Sequence, residues 1–282
     1  MPIPKQVSSA SHTPVGIHIT PRNPKFDFTR VPKVWMADAI TSQFMNALSI
    51  FIPFSERSVS EILRSNLPRI EDETLTRQIR DMIKQEGRHA AMHRQSNIII
   101  RQCYSGLGIV EKAQSLTIKL IRKISSNAFE MSIPAAFEHF TSSVSREILS
   151  NQTRWTGDKD NEGINFVLWH CLEELEHQAI CHDAYKALYR SRLRLFLSLA
   201  LWAPLSMVSI YSIQLYLLHK DRVIYKPKNW MPYLKFLFKS APLFYRGSFN
   251  FCSKSFNPWS DSDQALYQTS LKRLQPKFSS TQ

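Results

Sequence analysis

WHCLEELEHQAICHD, residues 169–183, sets three histidines and three glutamates beside Trp169, Leu172, Leu175 and Ile180. In a helix, residues three and four apart share a face. Glu174 and His177 therefore make an E-x-x-H pair, with His170 one turn before Glu174. The same spacing recurs in KQEGRHAAMH, where Glu86 precedes His89 and His93 follows a turn later. One such pair is a weak signal, because Glu and His often fall three apart by chance. Two copies, 88 residues apart and on separate helices, are a strong one.

Di-metal carboxylate bundles of the ferritin type take a lone Glu from each of two helices and an E-x-x-H pair from each of the other two. That scheme predicts a lone Glu ahead of each pair. Glu56 in IFIPFSERSV lies 30 residues before Glu86, and Glu138 in IPAAFEHFTSSV lies 36 before Glu174. Both stand among apolar neighbours, where a carboxylate is costly unless its charge is compensated. Glu61 and Glu147 are rival positions. The expected ligands of two divalent cations are Glu56, Glu86, His89, Glu138, His170, Glu174 and His177. His93, Glu173, His182 and Asp183 are expected to support them from behind, and Glu176 to meet an arginine.

Apolar periodicity predicts helices over 34–66, interrupted at Pro53, and from Asp72 to about Gly106. A third segment spans about 110–150 with a kink at Pro134, and a fourth runs from about Ile164 to Ser191. No run alternates with the period of a strand, and seven glycines against fifteen prolines leave no glycine-rich phosphate loop. The expected fold is all-α: a ferritin-like helical bundle with an additional C-terminal apolar and basic helical segment. Residues 1–30 form a poorly ordered or surface-laid arm, and 31–192 the di-metal bundle. Residues 193–282 form an apolar helix and basic tail packed on the bundle or on a membrane.

Four scattered cysteines form no C-x-x-C pair, which excludes a disulfide framework and fits a reducing compartment. The prolines of the first residues do not fit a signal peptide. Residues 195–218 carry no formal charge, so their length alone admits a membrane span. Pro204 and the serines at 206, 209 and 212 weaken that reading, and burial or an interfacial helix competes with it. From residue 219 on, eleven Lys/Arg face three Asp within a chain of net charge +13. Such a tail suits an anionic bilayer surface; no nucleic acid is expected, since no reading module accompanies it. The expected location is cytoplasmic, with attachment to the inner membrane face as its extension.

With these residues in view, the chain resembles the bacterial family labelled "predicted metal-dependent hydrolase". The likeness runs from about Phe26 to Leu274 and is carried by PFSERSV, QEGRHAAMH, FEHFT, WHCLEELEH and FNPWSDSD. One position departs: Ser55 precedes Glu56 where the family commonly has Gly. Locally, H-x-x-x-E-x-x-H at His170, Glu174 and His177 is also similar to di-iron N-oxygenases acting on arylamines. There an added His joins the metal shell, which implies a ligand role for His170.

Three functions fit these observations. A di-iron oxidase or oxygenase would act on a small lipophilic substrate with O2 and an electron donor, since Glu/His ligation suits redox-active iron, with manganese or zinc as alternatives. The family label implies instead a metal-dependent hydrolase using a metal-activated water. The third is a non-catalytic metal-binding protein at a membrane. The expectation placed first is the di-iron oxidoreductase.

Overall fold

The structure, a computed structural model, describes residues 10–245 and 248–279. Its helices are α1 (Ala39–Asn66), α2 (Glu73–Cys103), α3 (Leu107–Ile124), α4 (Asn127–Glu130), α5 (Ser132–Ser150) and α6 (Gln152–Thr156), followed by α7 (Glu162–His177) and α8 (Ile180–Leu188). The C-terminal part adds α9 (Arg192–Lys220), α10 (Trp230–Ser240), α11 (Ser248–Phe251) and α12 (Asp261–Ser279). No strand occurs among the described residues, so the protein is an all-α helical bundle.

Several helices start where the sequence supplies a cap. Asp38 accepts from the Thr41 N–H at 2.7 Å, Asp72 from Leu75 at 2.7 Å and Asn161 from Ile164 at 3.1 Å. Each satisfies one of the backbone donors that a helix N-terminus leaves unpaired. The turn after α6 needs glycine: Gly157 has φ +63°, and a Cβ there would lie 2.9 Å from the Ala37 Cα.

The four helices that matter most are α1, α2, α5 and α7. Phe44, Phe137 and Leu172 on these helices are completely buried, Phe44 against Tyr211 and Phe236 and Phe137 against Trp202. Each such side chain contributes about 1.5–3 kcal/mol through removal from water.

Three boundaries differ from the sequence reading. Pro53 does not interrupt α1, which runs through it. The third segment is three helices, with Pro134 in the first turn of α5, where a missing N–H costs nothing. The fourth breaks at Gln178–Ala179 into α7 and α8. No glycine or proline marks that break, and the apolar periodicity carries straight through it.

From Ala10 onward the arm is laid along the surface of the bundle and anchored there at a few side chains; residues 1–9 of it lie outside the described residues. Ile17, Ile19 and Phe28 are buried, and Phe26 packs its ring on Trp169 and Phe166. Helix α9 lies along α1 and α5, and α12 against α7. Ser206 is buried within the protein, whereas Ser212 is exposed, so the serines do not form one polar stripe.

Candidate metal centre

Four helices aim their acids and imidazoles at one buried point: Glu56 from α1, Glu86 and His89 from α2, Glu138 from α5, and His170, Glu174 and His177 from α7. Two groups emerge, Glu56–His89–His170–Glu174 and Glu86–Glu138–Glu174–His177. Within each, one ligand atom per residue lies within 4.8 Å of all the others. Glu174 belongs to both groups. The rival acids are elsewhere: Glu61 pairs with Arg57 and Arg122, and Glu147 with Arg154.

Distances across the cluster are short. His170 Nε2 is 2.9 Å from Glu174 Oε1 and 3.3 Å from Glu56 Oε1. His177 Nδ1 is 2.9 Å from Glu86 Oε1 and 3.6 Å from Glu138 Oε2. His89 Nδ1 is 3.5 Å from Glu174 Oε1. Most of these approaches lack hydrogen-bond alignment. Both oxygens of Glu56 and Glu86, one each of Glu138 and Glu174, and the Nδ1 atoms of His89 and His177 are buried without a hydrogen-bond partner. Polar atoms left in that state cost about 1–3 kcal/mol each.

The residues fit a pair of cations. The unpartnered atoms are all of ligand type, and four carboxylates balance the charge of two divalent ions. Burial pushes the Glu56 carboxyl up to about 7. Burial and the Glu174 charge push Glu138 well above the usual range. Burial opposes charge on His89 and His177 too, yet the carboxylates close by, Glu173, Glu174 and Glu86 for His89 and Glu138, Glu86 and Glu174 for His177, raise both well above the ordinary histidine value. Without a cation, protons do the neutralising.

The groups behind the cluster set which ring nitrogen faces it. His89 donates from Nε2 to Glu173 Oε2 at 3.0 Å, and Glu173 also accepts from Trp169 Nε1 at 3.1 Å and Arg22 Nη1 at 3.2 Å. His177 donates from Nε2 to Gln85 Oε1 at 2.8 Å. Gln85 Nε2 in turn donates to Glu176 at 2.7 Å, which also accepts from Arg22 Nη2 and Tyr267 OH. With Nε2–H so engaged, Nδ1 is the nitrogen of each ring that faces the cluster, and its lone pair is available to a cation once its proton is displaced.

A second chain of bonds fixes His170, and it begins at Pro53. A proline cannot donate to the carbonyl four residues back, which is that of Ser49, and Asn97 Nδ2 donates to this oxygen at 2.8 Å. That turns Asn97 Oδ1 toward Ser49 Oγ, which donates to it at 2.9 Å. The hydroxyl oxygen is then left to accept from His93 Nδ1 at 2.9 Å. His93 Nε2 accepts from His170 Nδ1 at 3.0 Å, so His170 Nε2, which donates to Glu174 Oε1 at 2.9 Å, is the nitrogen that faces the cluster and can ligate once its proton leaves. Burial and the nearby His170 keep His93 well below the ordinary histidine value, as this order of donors requires.

Two expected members are not at the cluster. Asp183 accepts from the His12 backbone N–H and lies 2.7 Å from His12 Nδ1 in the arm, while His182 packs between Phe251 and Phe256. The break after α7 turns both away from the face that carries Glu174. Sequence reading missed Arg22, Gln85, Ser49, Asn97 and Tyr267. Gln85 adjoins a ligand in sequence and could have been suspected, but the others carry no local signal. On one side the cluster adjoins a cavity of about 490 Å³ that reaches His93, His170 and Glu174.

Fold and site together define a class: an all-α bundle with buried Glu/His clusters that could hold metal ions. The chain belongs to the family described as predicted metal-dependent hydrolase, whose model matches residues 20–262. No curated protein and no solved structure matches it.

Proposed function

We propose that the protein is a metal-dependent enzyme with a dinuclear centre, and that hydrolysis is its reaction. The observation that carries the dinuclear reading is Glu174 shared between two groups of buried, unpartnered ligands. The arrangement is also that of di-metal carboxylate bundles, a lone Glu and an E-x-x-H pair from each half. Family membership favours hydrolysis over redox chemistry. Bound there, two divalent cations would supply Lewis acidity and an activated water, or, if iron, redox chemistry toward dioxygen. Glu56, His89, His170 and Glu174 would hold one cation, and Glu86, Glu138, Glu174 and His177 the other. Glu173, Gln85 and His93 keep the three imidazoles in their ligating tautomers. The apolar wall around the cluster keeps bulk water away from it.

Dioxygen chemistry on a lipophilic substrate is the second reading, favoured by a donor set of carboxylate and imidazole without cysteine. Metal analysis separates the two. Two zinc ions per chain, turnover of ester or phosphate substrates and no response to oxygen support hydrolysis. Two iron ions with an optical spectrum that changes on exposure to dioxygen support the second reading. In either case Glu174→Ala is expected to lose both metals and all turnover; retained turnover without metal would end the proposal.

We also propose contact with an anionic bilayer. Helix α9 is long and apolar enough to cross a membrane. Here it exposes Leu201, Val208 and Leu215 seven residues apart, on one face. Helix α10, joined to α9 by the Tyr211–Ser240 hydrogen bond, exposes Trp230, Leu234 and Phe238 beside the exposed Lys235 and Lys239. Aromatics flanked by lysines suit the headgroup region of anionic lipid. Sedimentation with phosphatidylglycerol vesicles but not phosphatidylcholine vesicles is expected, and loss of it in the double variant Lys235→Glu, Lys239→Glu. Equal binding to both vesicles would refute the contact.

A further inference from the structure

Four helical stripes enclose the cavity beside the cluster. On α7 its lining runs Glu174, His170, Val167, Gly163, and on α2 His93, Ser96, Ile100, with Tyr104 just past the helix end. On α1 it runs from Ile52 to Met45, and on α5 from Phe140 to Ile148. Every stripe starts beside a cluster residue and leads away along its helix. Glu174 and Gly163 are eleven residues apart, so at about 1.5 Å per residue the cavity extends roughly 16 Å along the bundle. A volume of about 490 Å³ drawn out over that length is narrow. It suits one unbranched chain better than a fused ring system.

The two ends differ in character. Between them the wall is mostly apolar, with Leu48, Val144, Ile148 and Phe166 beside the hydroxyls of Ser96, Thr141 and Ser145, and no charged side chain lines it short of His93 and His170. At the far end stand Lys33, Tyr104, Lys220 and Asp221. The Asp221 carboxylate is satisfied: it accepts from Lys33 Nζ at 2.6 Å, Gln43 Nε2 at 2.6 Å and Tyr104 OH at 3.0 Å. Lys220 is exposed, lies over the Tyr216 ring at 5.5 Å, and has no ion-pair partner among the described residues. The mouth thus offers one unmet positive charge above a mostly apolar shaft.

We infer that the cavity binds an unbranched aliphatic amphiphile tail-first, with its anionic head, carboxylate or phosphate, held at Lys220 and its chain end against the cluster. Tail-first entry leaves the head hydrated, whereas drawing it down the shaft would strip its water with no cationic side chain there to replace it. The bond presented to the cluster is then remote from the head: a plain chain end offers a C–H bond, which suits the dioxygen reading, whereas hydrolysis requires a chain that carries an ester or amide at that depth. The inference rests on the metal-centre reading only for what happens to the chain, because binding itself is read from the cavity.

Calorimetric titration of the full-length, metal-loaded protein with dodecanoate, dodecyl phosphate, dodecanol and dodecylamine tests it. One dodecanoate or dodecyl phosphate per chain is expected, with dodecylamine weaker by about tenfold or more, and the two acids tell the two heads apart. Lys220→Glu should weaken both acids by about tenfold and leave dodecanol unchanged. Val144→Trp, which fills the shaft, should abolish binding of all four while metal content stays; Ile148→Trp, nearer the mouth, serves if that variant does not fold. Equal affinity for all heads, no effect of Lys220→Glu, or binding that survives the filled shaft would overturn the inference. Metal content is measured on every sample. Acid binding by protein that holds no metal supports the inference and counts against the metal centre; metal without acid binding does the reverse.

Discussion

Pro53 shows how one residue reaches a ligand it never touches. By withholding a backbone N–H it frees the Ser49 carbonyl, and the bonds through Asn97, Ser49 and His93 carry that constraint to the His170 ring. Groups that orient a ligating histidine are typically worth about 10–100-fold in metal affinity. His93→Leu is therefore expected to weaken metal binding by about that factor, measured by competition with a chromophoric chelator. Asn97→Leu should act in the same direction and less strongly, since Ser49 and His93 remain. Unchanged affinity in both would show that the chain of bonds does not orient His170.

Among the elements, the arm and α7 depend on each other. Arg22 lies between Glu173 at 3.2 Å and Glu176 at 2.7 Å, and both carboxylates are fully buried. Removing one partner of a buried pair strands the other charge, at a cost of about 3–5 kcal/mol. Arg22→Met is expected to destabilise the protein by about 3 kcal/mol in urea unfolding. The same change loosens Glu173, hence His89, so metal affinity should fall with it. A variant as stable as the parent would mean that the arm only decorates the bundle. The α7–α8 break works at the same scale, because it carries Asp183 to His12 of the arm.

For the whole molecule, buried charge makes stability depend on pH, in opposite senses with and without metal. In the metal-free protein the Glu56 carboxyl is raised from an ordinary 4.5 to about 7, and Glu138 is raised too. Across that window the native chain holds protons that the unfolded chain has released, so stability falls as pH rises. His89 and His177, also raised, extend the loss above the ordinary histidine value of 6.5. His93, held low, opposes this, and Glu174, held low, matters only below 4.5. Metal competes with all of these protons. The melting temperature with chelator is therefore expected to drop between about pH 5 and about pH 8, and with two equivalents of metal to hold or rise. Parallel curves would mean that the cluster does not bind the metal tested.

The helical class and the seven cluster residues were legible in the sequence because both rest on spacing: a period of 3.6 residues, and Glu and His three apart on one face. The break at Gln178–Ala179 and the straight run through Pro53 were not legible. The first has no local punctuation, and the second depends on Asn97, 44 residues away, donating to the Ser49 carbonyl in place of the missing N–H. His182 and Asp183 were assigned to the site because periodicity alone continues one helix through the break. Local spacing can say which residues share a face. Only tertiary packing decides what that face meets, and it brought Arg22 of the arm and Gln85, Asn97 and Tyr267 of other helices behind the cluster and opened the cavity beside it.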